Sequence, residues 1–144
     1  VCREPAMTID LLPTIAHLAK AKLPKHTIDG QNIWPLFTED GVPSPQEAYY
    51  LYYGNQLQAI RQGKWKLHFP HGYRTMNGRP GGKGGIPTNY SQAKIGLSLF
   101  DLSQDIGESK DLKGKHPKVV QRLSQLGKDF DEALKKNKRP AGKI

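Results

Sequence analysis

The stretch from Ala48 to Phe69, AYYLYYGNQLQAIRQGKWKLHF, limits most strongly what this chain can fold into. Ala48 to Tyr53 is aromatic and suits a pleated surface. Leu57 to Arg61 and Lys64 to Phe69 are two further runs, separated only by Gln62-Gly63. Glycine supplies the positive φ of a two-residue hairpin turn, while Gln62 leaves the turn type open. With that turn, Arg61 pairs with Lys64, Ile60 with Trp65, Ala59 with Lys66, Gln58 with Leu67 and Leu57 with His68. Alternation then puts Ile60, Trp65, Leu67 and Phe69 on one face. Arg61, Lys64, Lys66 and His68 fall on the other. One face can build a core. The other opposes like charges, which is destabilising unless an anion lies nearby.

Charge along the chain sharpens that point. Residues 1–47 carry four Lys/Arg and six Asp/Glu; residues 48–100 carry seven Lys/Arg and no acid; residues 101–144 carry eleven and seven. An acid-free middle is consistent with an anionic partner or substrate, and equally with a solvated basic face. At 144 residues the chain is sized for one domain, or a small domain plus part of another. No run approaches the roughly 18 apolar residues of a membrane helix, so no membrane is expected as a partner. The start, VCREPAMTID, has neither the basic region nor the apolar core of a signal peptide and no initiator Met, so an internal start is expected. The single Cys2 forms no internal disulfide and says little about compartment.

Before the hairpin, Thr8 to Ala21 reads as a helix. Pro13 fits only near its beginning, which places the N-cap at Asp10 with Pro13 at the third position. Leu11, Leu12, Ile15, Leu18 and Ala19 form its apolar stripe; His17 sits at the edge and reads as a packing or surface residue. Leu23 to Phe37 is loop with a short helical turn, and its Ile33, Trp34, Leu36 and Phe37 are too apolar to stay in water. Asp29-Gly30 is a turn signal, and Thr38 to Glu47 reads as a linker.

After the hairpin, Pro70 to Gly96 holds seven glycines and three prolines without hydrophobic period, and reads as a long structureless loop. Asn77 to Gly85 fails as a nucleotide-binding P-loop: Asn77 stands at the first glycine, and Gly84 follows Lys83 where a hydroxyl is needed. Its amides and cations can still hold a sulfate or phosphate. His68-x-x-His71 lacks the further ligands of a metal site. Leu97 to Leu102 is a strand, Ser103 to Gly107 a turn. Pro117 opens the last helix, with Val119, Leu123, Leu126, Phe130 and Ala133/Leu134 at helical spacing. Gly127 costs it about 1 kcal/mol relative to Ala, Lys135, Lys136 and Lys138 suit its negative end, and 137–144 is a basic tail. The fold class is α+β: a four-stranded antiparallel sheet with a C-terminal helix packed on it. The pattern contains no Ser/His/Asp set, no close carboxylate pair and no metal cluster, so no catalytic residue is assigned.

Four segments, in order, resemble the C-terminal part of an arylsulfatase-type sulfatase of the alkaline-phosphatase-like superfamily. Asp10 to Pro24, DLLPTIAHLAKAKLP, resembles D-x-x-P-T-x-x-x-L-A-G-x-x-x-P, with Lys20 for the usual Gly. Asp29 to Phe37, DGQNIWPLF, is similar to D-G-x-S/D-L-x-P-L. Ala59 to Phe69, AIRQGKWKLHF, is close to A-V-R-x-G-x-Y-K-x-x-F. Leu99 to Leu112, LFDLSQDIGESKDL, is similar to L-Y-D-L-x-x-D-P-G-E-x-x-N-L, with Ile106 for Pro and Asp111 for Asn.

The resemblance implies an organisation. Residues 1–40 are the end of a large α/β sulfatase domain, 41–47 a linker, 48–136 a small sheet-plus-helix domain, and 137–144 the tail. It implies sulfate-ester hydrolysis with formylglycine and calcium, but both lie outside this chain. Cys2 is followed by Arg3, Glu4 and Pro5, not the family's C/S-x-P-x-R, so the fragment alone is expected to be inactive and carries no cofactor. Its expected partners are the missing N-terminal sulfatase domain and a sulfated small molecule or glycan; no nucleic acid is expected. The location implied is extracytoplasmic: periplasmic, secreted or lysosomal. His68, His71, Tyr73 and Arg74 are the expected substrate-binding residues, at the rim of the cleft. The alternative is a stand-alone basic module binding polyanions.

Overall fold

The computed structural model describes residue 2 and residues 4–138, so the basic tail lies outside the described residues from 139 onward. A 3-10 turn (Thr8–Asp10) runs into helix α1 (Leu11–Leu18), followed by the short α2 (Pro35–Thr38). Six strands come next: β1 (Tyr49–Tyr53), β2 (Gln56–Gln62), β3 (Trp65–His68), β4 (His71–Thr75), β5 (Ser91–Ile95) and β6 (Ser98–Asp101). Helix α3 (Pro117–Asn137) closes the fold. The chain forms two compact units, one running to Tyr49 and including the residues from Asp131 on, the other spanning Tyr50–Phe130.

The first unit is built around one carboxylate. Asp10 is fully buried. It caps α1 by position, but its side chain is turned away from the helix. Oδ1 accepts from the Gln31 amide at 2.9 Å and from Gln46 Nε2 at 2.7 Å. Oδ2 accepts from the Met7 amide at 3.0 Å and the Tyr49 hydroxyl at 2.8 Å. Thr14, also buried, donates to the Asp10 carbonyl and accepts from the Ile33 amide at 3.0 Å. The Asp-x-x-Pro-Thr segment therefore holds the Asp-Gly-Gln-Asn-Ile segment in place. Gly30 serves close approach, not a positive φ: a Cβ there would lie 1.9 Å from the Ile9 carbonyl oxygen. Residues 41–47 are tied into the same unit, since the Ser44 amide donates to Glu4 and Gln46 reaches both Asp10 and the Asp29 carbonyl.

Helix α1 ends in a Schellman motif. The Ala21 amide bonds the Ala16 carbonyl, the Lys20 amide bonds the His17 carbonyl, and Lys20 has φ +52°. That is the position where the resembling motif carries Gly. The buried residues of α1 are Pro13, Thr14 and Ala16, whereas Leu12 is 55% and Ile15 60% exposed. Ile9, Leu11 and Leu18 are exposed as well.

In the second unit, β1, β2, β3 and β6 form the four-stranded antiparallel sheet in that order, while β4 and β5 pair separately. The hairpin register differs by two residues from the one expected. Gln62 pairs with Trp65, Arg61 with Lys66, Ile60 with Leu67 and Ala59 with His68. The turn is Gly63-Lys64, with Gly63 at φ +54° in the first central position, where a type II′ turn needs glycine. Lys64 thus leaves the ladder for the turn. A two-residue slip preserves side-chain parity, so Ile60, Trp65, Leu67 and Phe69 still share a face. Ile60, Leu67 and Leu99 are fully buried on it.

Helix α3 covers that face through Leu123, fully buried, and Gly127. A Cβ on Gly127 would lie 2.7 Å from the Phe69 ring and 3.3 Å from Leu57 Cδ2. The glycine costs helix propensity but lets the helix seat on the sheet. Phe130 stacks on Tyr50 at 3.6 Å between centroids. Ala133, expected in the apolar stripe, is exposed, and Leu134 is partly covered.

Pro70 to Gly96 is not a structureless loop. His71 pairs with Ile95, Tyr73 with Ala93 and Thr75 with Ser91. Two tight turns follow β4. Asn77 and Gly78 both have positive φ, with the Arg79 amide bonded to the Met76 carbonyl; Gly84 and Gly85 repeat this with the Ile86 amide on Lys83. Positive φ at both central residues is the signature of type I′ turns. Gly82 is there for space, since a Cβ would lie 1.8 Å from the Ile86 carbonyl oxygen. These glycines do backbone work in turns, and the Ile86 amide is spent inside one of them.

Candidate functional site

The site expected at His68, His71, Tyr73 and Arg74 begins where β3 hands over to β4 through Phe69-Pro70. The side of β3 away from the core carries Lys66 and His68, and the anion it requires comes from the chain itself. Glu108 Oε1 pairs with Lys66 Nζ, and Glu108 Oε2 lies 2.7 Å from His68 Nε2. Glu108 reaches them from the turn after β6, where it sits at φ +53°. That backbone conformation costs a non-glycine residue about 1 kcal/mol, offset here by two charge-assisted contacts. Asp101 takes Lys64 at 2.8 Å. Asp111 accepts from the Leu99 amide at 3.0 Å and pairs with Lys113 at 3.0 Å. Asp105 is used within its own turn by Ser109 and the Lys110 amide. The acidic segment that follows the acid-free run therefore neutralises β3. Arg61 donates to the Gly63 carbonyl.

Each histidine has a definite role. His68 faces a carboxylate through Nε2, so the neutral ring donates from Nε2. Its Nδ1 is buried without a partner among the described residues. Burial first and the Lys66 charge second hold its pKa below the ordinary 6.5, against the opposing pull of Glu108. Burial acts to raise the Glu108 pKa, but the hydrogen bond and charge of Lys66 and then His68 hold it below its ordinary value. His71 stacks on His68, with centroids 5.4 Å apart and planes 22° from parallel. Its Nδ1 donates to the Phe69 carbonyl at 2.7 Å, which leaves Nε2 as the outward nitrogen. The two rings are thus committed to Glu108 and Phe69 and do not converge on a metal. Among the described residues, no three His, Cys, Asp or Glu side chains converge as metal ligands.

Register separates the remaining two residues. His71, Tyr73 and Thr75 share one face of the β4–β5 hairpin with Ser91, Ala93 and Ile95; Gly72 and Arg74 share the opposite face with Gln92 and Lys94. The structure therefore brings His68, His71 and Tyr73 together, with Tyr73 6.2 Å from His71 ring to ring. It puts Arg74 on the other side of the hairpin. Glu108 is the residue that the sequence reading missed. Its signal was present: it is the acid of the Gly-Glu pair in the fourth resembling segment, the first acidic segment after a long basic one.

A four-stranded antiparallel sheet under a long C-terminal helix places this chain with the C-terminal parts of sulfatases. Residues 44–143 match the family described as the C-terminal region of aryl-sulfatase, and the chain belongs to that family. It is 34% identical to arylsulfatase A of Homo sapiens over 139 residues, covering 88% of this chain and 26% of that protein. It is 33% identical to steryl-sulfatase of Mus musculus over 122 residues, covering 78% of this chain and 20% of the relative. The chain spans about a quarter of the length of these relatives. Among solved structures it superposes on a Bacteroides thetaiotaomicron protein from work on metabolism of multiple glycosaminoglycans, with TM-score 0.62 and 25% identity, covering 85% of this chain and 24% of that one. The PsFucS1 sulfatase from Pseudoalteromonas sp. shares the fold alone, with TM-score 0.68 at 16% identity, covering 91% and 26% of the respective chains. The family membership and the four-stranded sheet with its C-terminal helix agree with the resemblance read from the sequence.

Proposed function

We infer that this chain is the C-terminal part of an enzyme hydrolysing sulfate esters, and that it shapes the substrate side of the cleft without performing the bond-breaking step. The observation that carries this reading is the fixed His68–His71–Tyr73 cluster on a family-typical β3. Glu108 and the Phe69 carbonyl hold the His68 and His71 rings, and the exposed Tyr73 ring sits edge-on to His71. Preset polar groups of this kind hold the non-reacting part of a substrate at low entropic cost. Arg74 adds a cation on the adjoining face. Formylglycine and calcium, which the family resemblance implies, would be supplied by residues upstream of those present here. With them come the expected extracytoplasmic location and the inactivity of the fragment alone.

The exposed stripe of α1 supports a larger partner domain. Leu11, Leu12, Ile15 and Leu18 lie side by side in water, which is unfavourable by about 25 cal/mol for each Å² of apolar surface. The upstream α/β domain of the full enzyme is the proposed cover.

In the full-length enzyme, His71→Ala with Tyr73→Phe is expected to raise KM for a sulfate ester several-fold with kcat nearly unchanged, the pattern of lost uniform binding. Unchanged KM, or an enzyme that turns over no sulfate ester, would overturn the assignment.

A further inference from the structure

The hairpin face that does not carry His71 and Tyr73 has a distinct character. Gly72, Arg74, Gln92 and Lys94 occupy it, and all four are exposed. Arg74 lies opposite Gln92, and Lys94 opposite Gly72. The two residues are therefore diagonal cross-strand neighbours, with Cα atoms about 7–8 Å apart. Neither side chain has a hydrogen-bond or ion-pair partner among the described residues. Intramolecular neutralisation is also unavailable from the nearest acids in sequence. Asp101, Glu108 and Asp111 are bonded to Lys64, to Lys66 and His68, and to Leu99 and Lys113, while Asp105 is bonded within its own turn. Gly72 has no side chain, so a flat ligand can lie across the strand beside Lys94. Further along the chain, Lys83 and Arg79 extend the same sign of charge. Arg79 is held by the Met76 carbonyl and by Ser91 Oγ at 2.7 Å.

We propose that this Arg74/Lys94 face binds an anionic glycan chain at units away from the ester being hydrolysed. The substrate class is thereby a polymer or oligomer bearing repeated sulfate or carboxylate groups. The inference rests on the sulfatase reading for the nature of the anion and deepens it. Two like charges set side by side without a counter-charge disfavour the hairpin by themselves, and repeated anions spaced along a chain relieve that repulsion at both positions together. The neutral Gln92 and Gly72 between them offer an amide and an open surface, which suit sugar hydroxyls and ring faces. Of the four paired residues on this face, Gly72, Arg74, Gln92 and Lys94, none is aromatic, in contrast to the usual stacking platform for single-stranded nucleic acid.

The test uses the full-length protein and an Arg74→Ser/Lys94→Ser double variant, with Arg74→Lys/Lys94→Arg as a charge-preserving control. Binding of fluorescent dextran sulfate oligomers is read by anisotropy at low and high salt. The double variant is expected to lose about tenfold in affinity at low salt and less at high salt, while the control retains binding. Lys94→Ser alone is expected to lower dextran sulfate affinity in the same direction and to leave turnover of a small aryl sulfate unchanged. Retention of dextran sulfate binding by a protein with no esterase activity supports this face while defeating the sulfatase reading. Undiminished binding in the double variant overturns the proposal. So does equal binding of single-stranded DNA of the same charge, and so does a parallel loss of aryl sulfate turnover in Lys94→Ser.

Discussion

Lys20 shows how one side chain can sit against its backbone. Its φ of +52° belongs to the left-handed region that glycine occupies without a Cβ clash, and the Schellman bonds from Lys20 and Ala21 hold it there. Lys20→Gly should therefore stabilise the protein by about 1 kcal/mol, read as a higher urea midpoint. Asp10 is the opposite case, a carboxylate that four donors surround. Burial acts to raise its pKa, but the hydrogen bonds from Gln46, Gln31, Met7 and Tyr49 bring it below the ordinary 3.8. Asp10→Ala leaves those donors unpaired in a closed site, and about 3 kcal/mol of stability should go with it. Titration gives a third expectation. His68 has a depressed pKa, so its contribution is complete above 6.5 and is lost as pH falls below that value, because the unfolded chain takes up the proton first. Glu108 is also depressed, so its contribution is present above 4.5 and disappears at lower pH. Denaturant midpoints from pH 8 to about pH 2 should fall in two steps, and His68→Phe should remove the upper one.

At the scale of elements, the packing of helix on sheet turns on Gly127. Alanine there gains about 1 kcal/mol in helix propensity but must displace the Phe69 ring, an overpacking cost of roughly 1–3 kcal/mol. Gly127→Ala is expected to lower the melting temperature by a few degrees, and adding Phe69→Leu should recover most of the loss in a double-mutant cycle. The strands β1, β2, β3 and β6 and the face assignment of Ile60, Trp65, Leu67 and Phe69 were legible because aromatic and branched residues alternate there. The register was not, because two adjacent dipeptides contain Gly63 and its positive φ suits either turn; the pairing of Gln62 with Trp65 tells them apart. Strands β4 and β5 were hidden for a different reason. A two-stranded hairpin outside the main core needs little apolar content, so Ser91, Ala93 and Ile95 alternate with Gln92 and Lys94 too faintly to register as a strand. Asn77-Gly78 was the usable turn signal. Glu108 stood out as the acid of the fourth segment, but its partners did not, because they lie forty residues away on a strand and sequence spacing carries no information about a contact between a turn and a sheet.

For the whole molecule, the charge pattern along the sequence resolves into a spatial one. The cations of β3 meet acids from the turn after β6, whereas, among the described residues, Arg74 and Lys94 stand without such partners on the β4–β5 hairpin. Fold class and family were readable because four short segments occur in the family's order. The structure shows why those segments resemble the family as pairs: the first bonds the second through Asp10 and Thr14, and the third bonds the fourth through strand pairing and Glu108. The exposed face of α1 also has a consequence at this scale. Leu12→Asp with Ile15→Asp should leave the second unit's thermal transition in place when the 144-residue chain is studied alone. In the full-length enzyme the same pair should reduce soluble yield and activity, measured side by side.

The contact between Gly127 and Phe69 also bears on how such domains diverge. Because a missing side chain on one element is filled by a ring from another, neither position can drift alone. In an alignment of related domains, the two columns should covary in volume: where the helix position gains a methyl, the strand position should shrink, with Leu57 as the third member of the set.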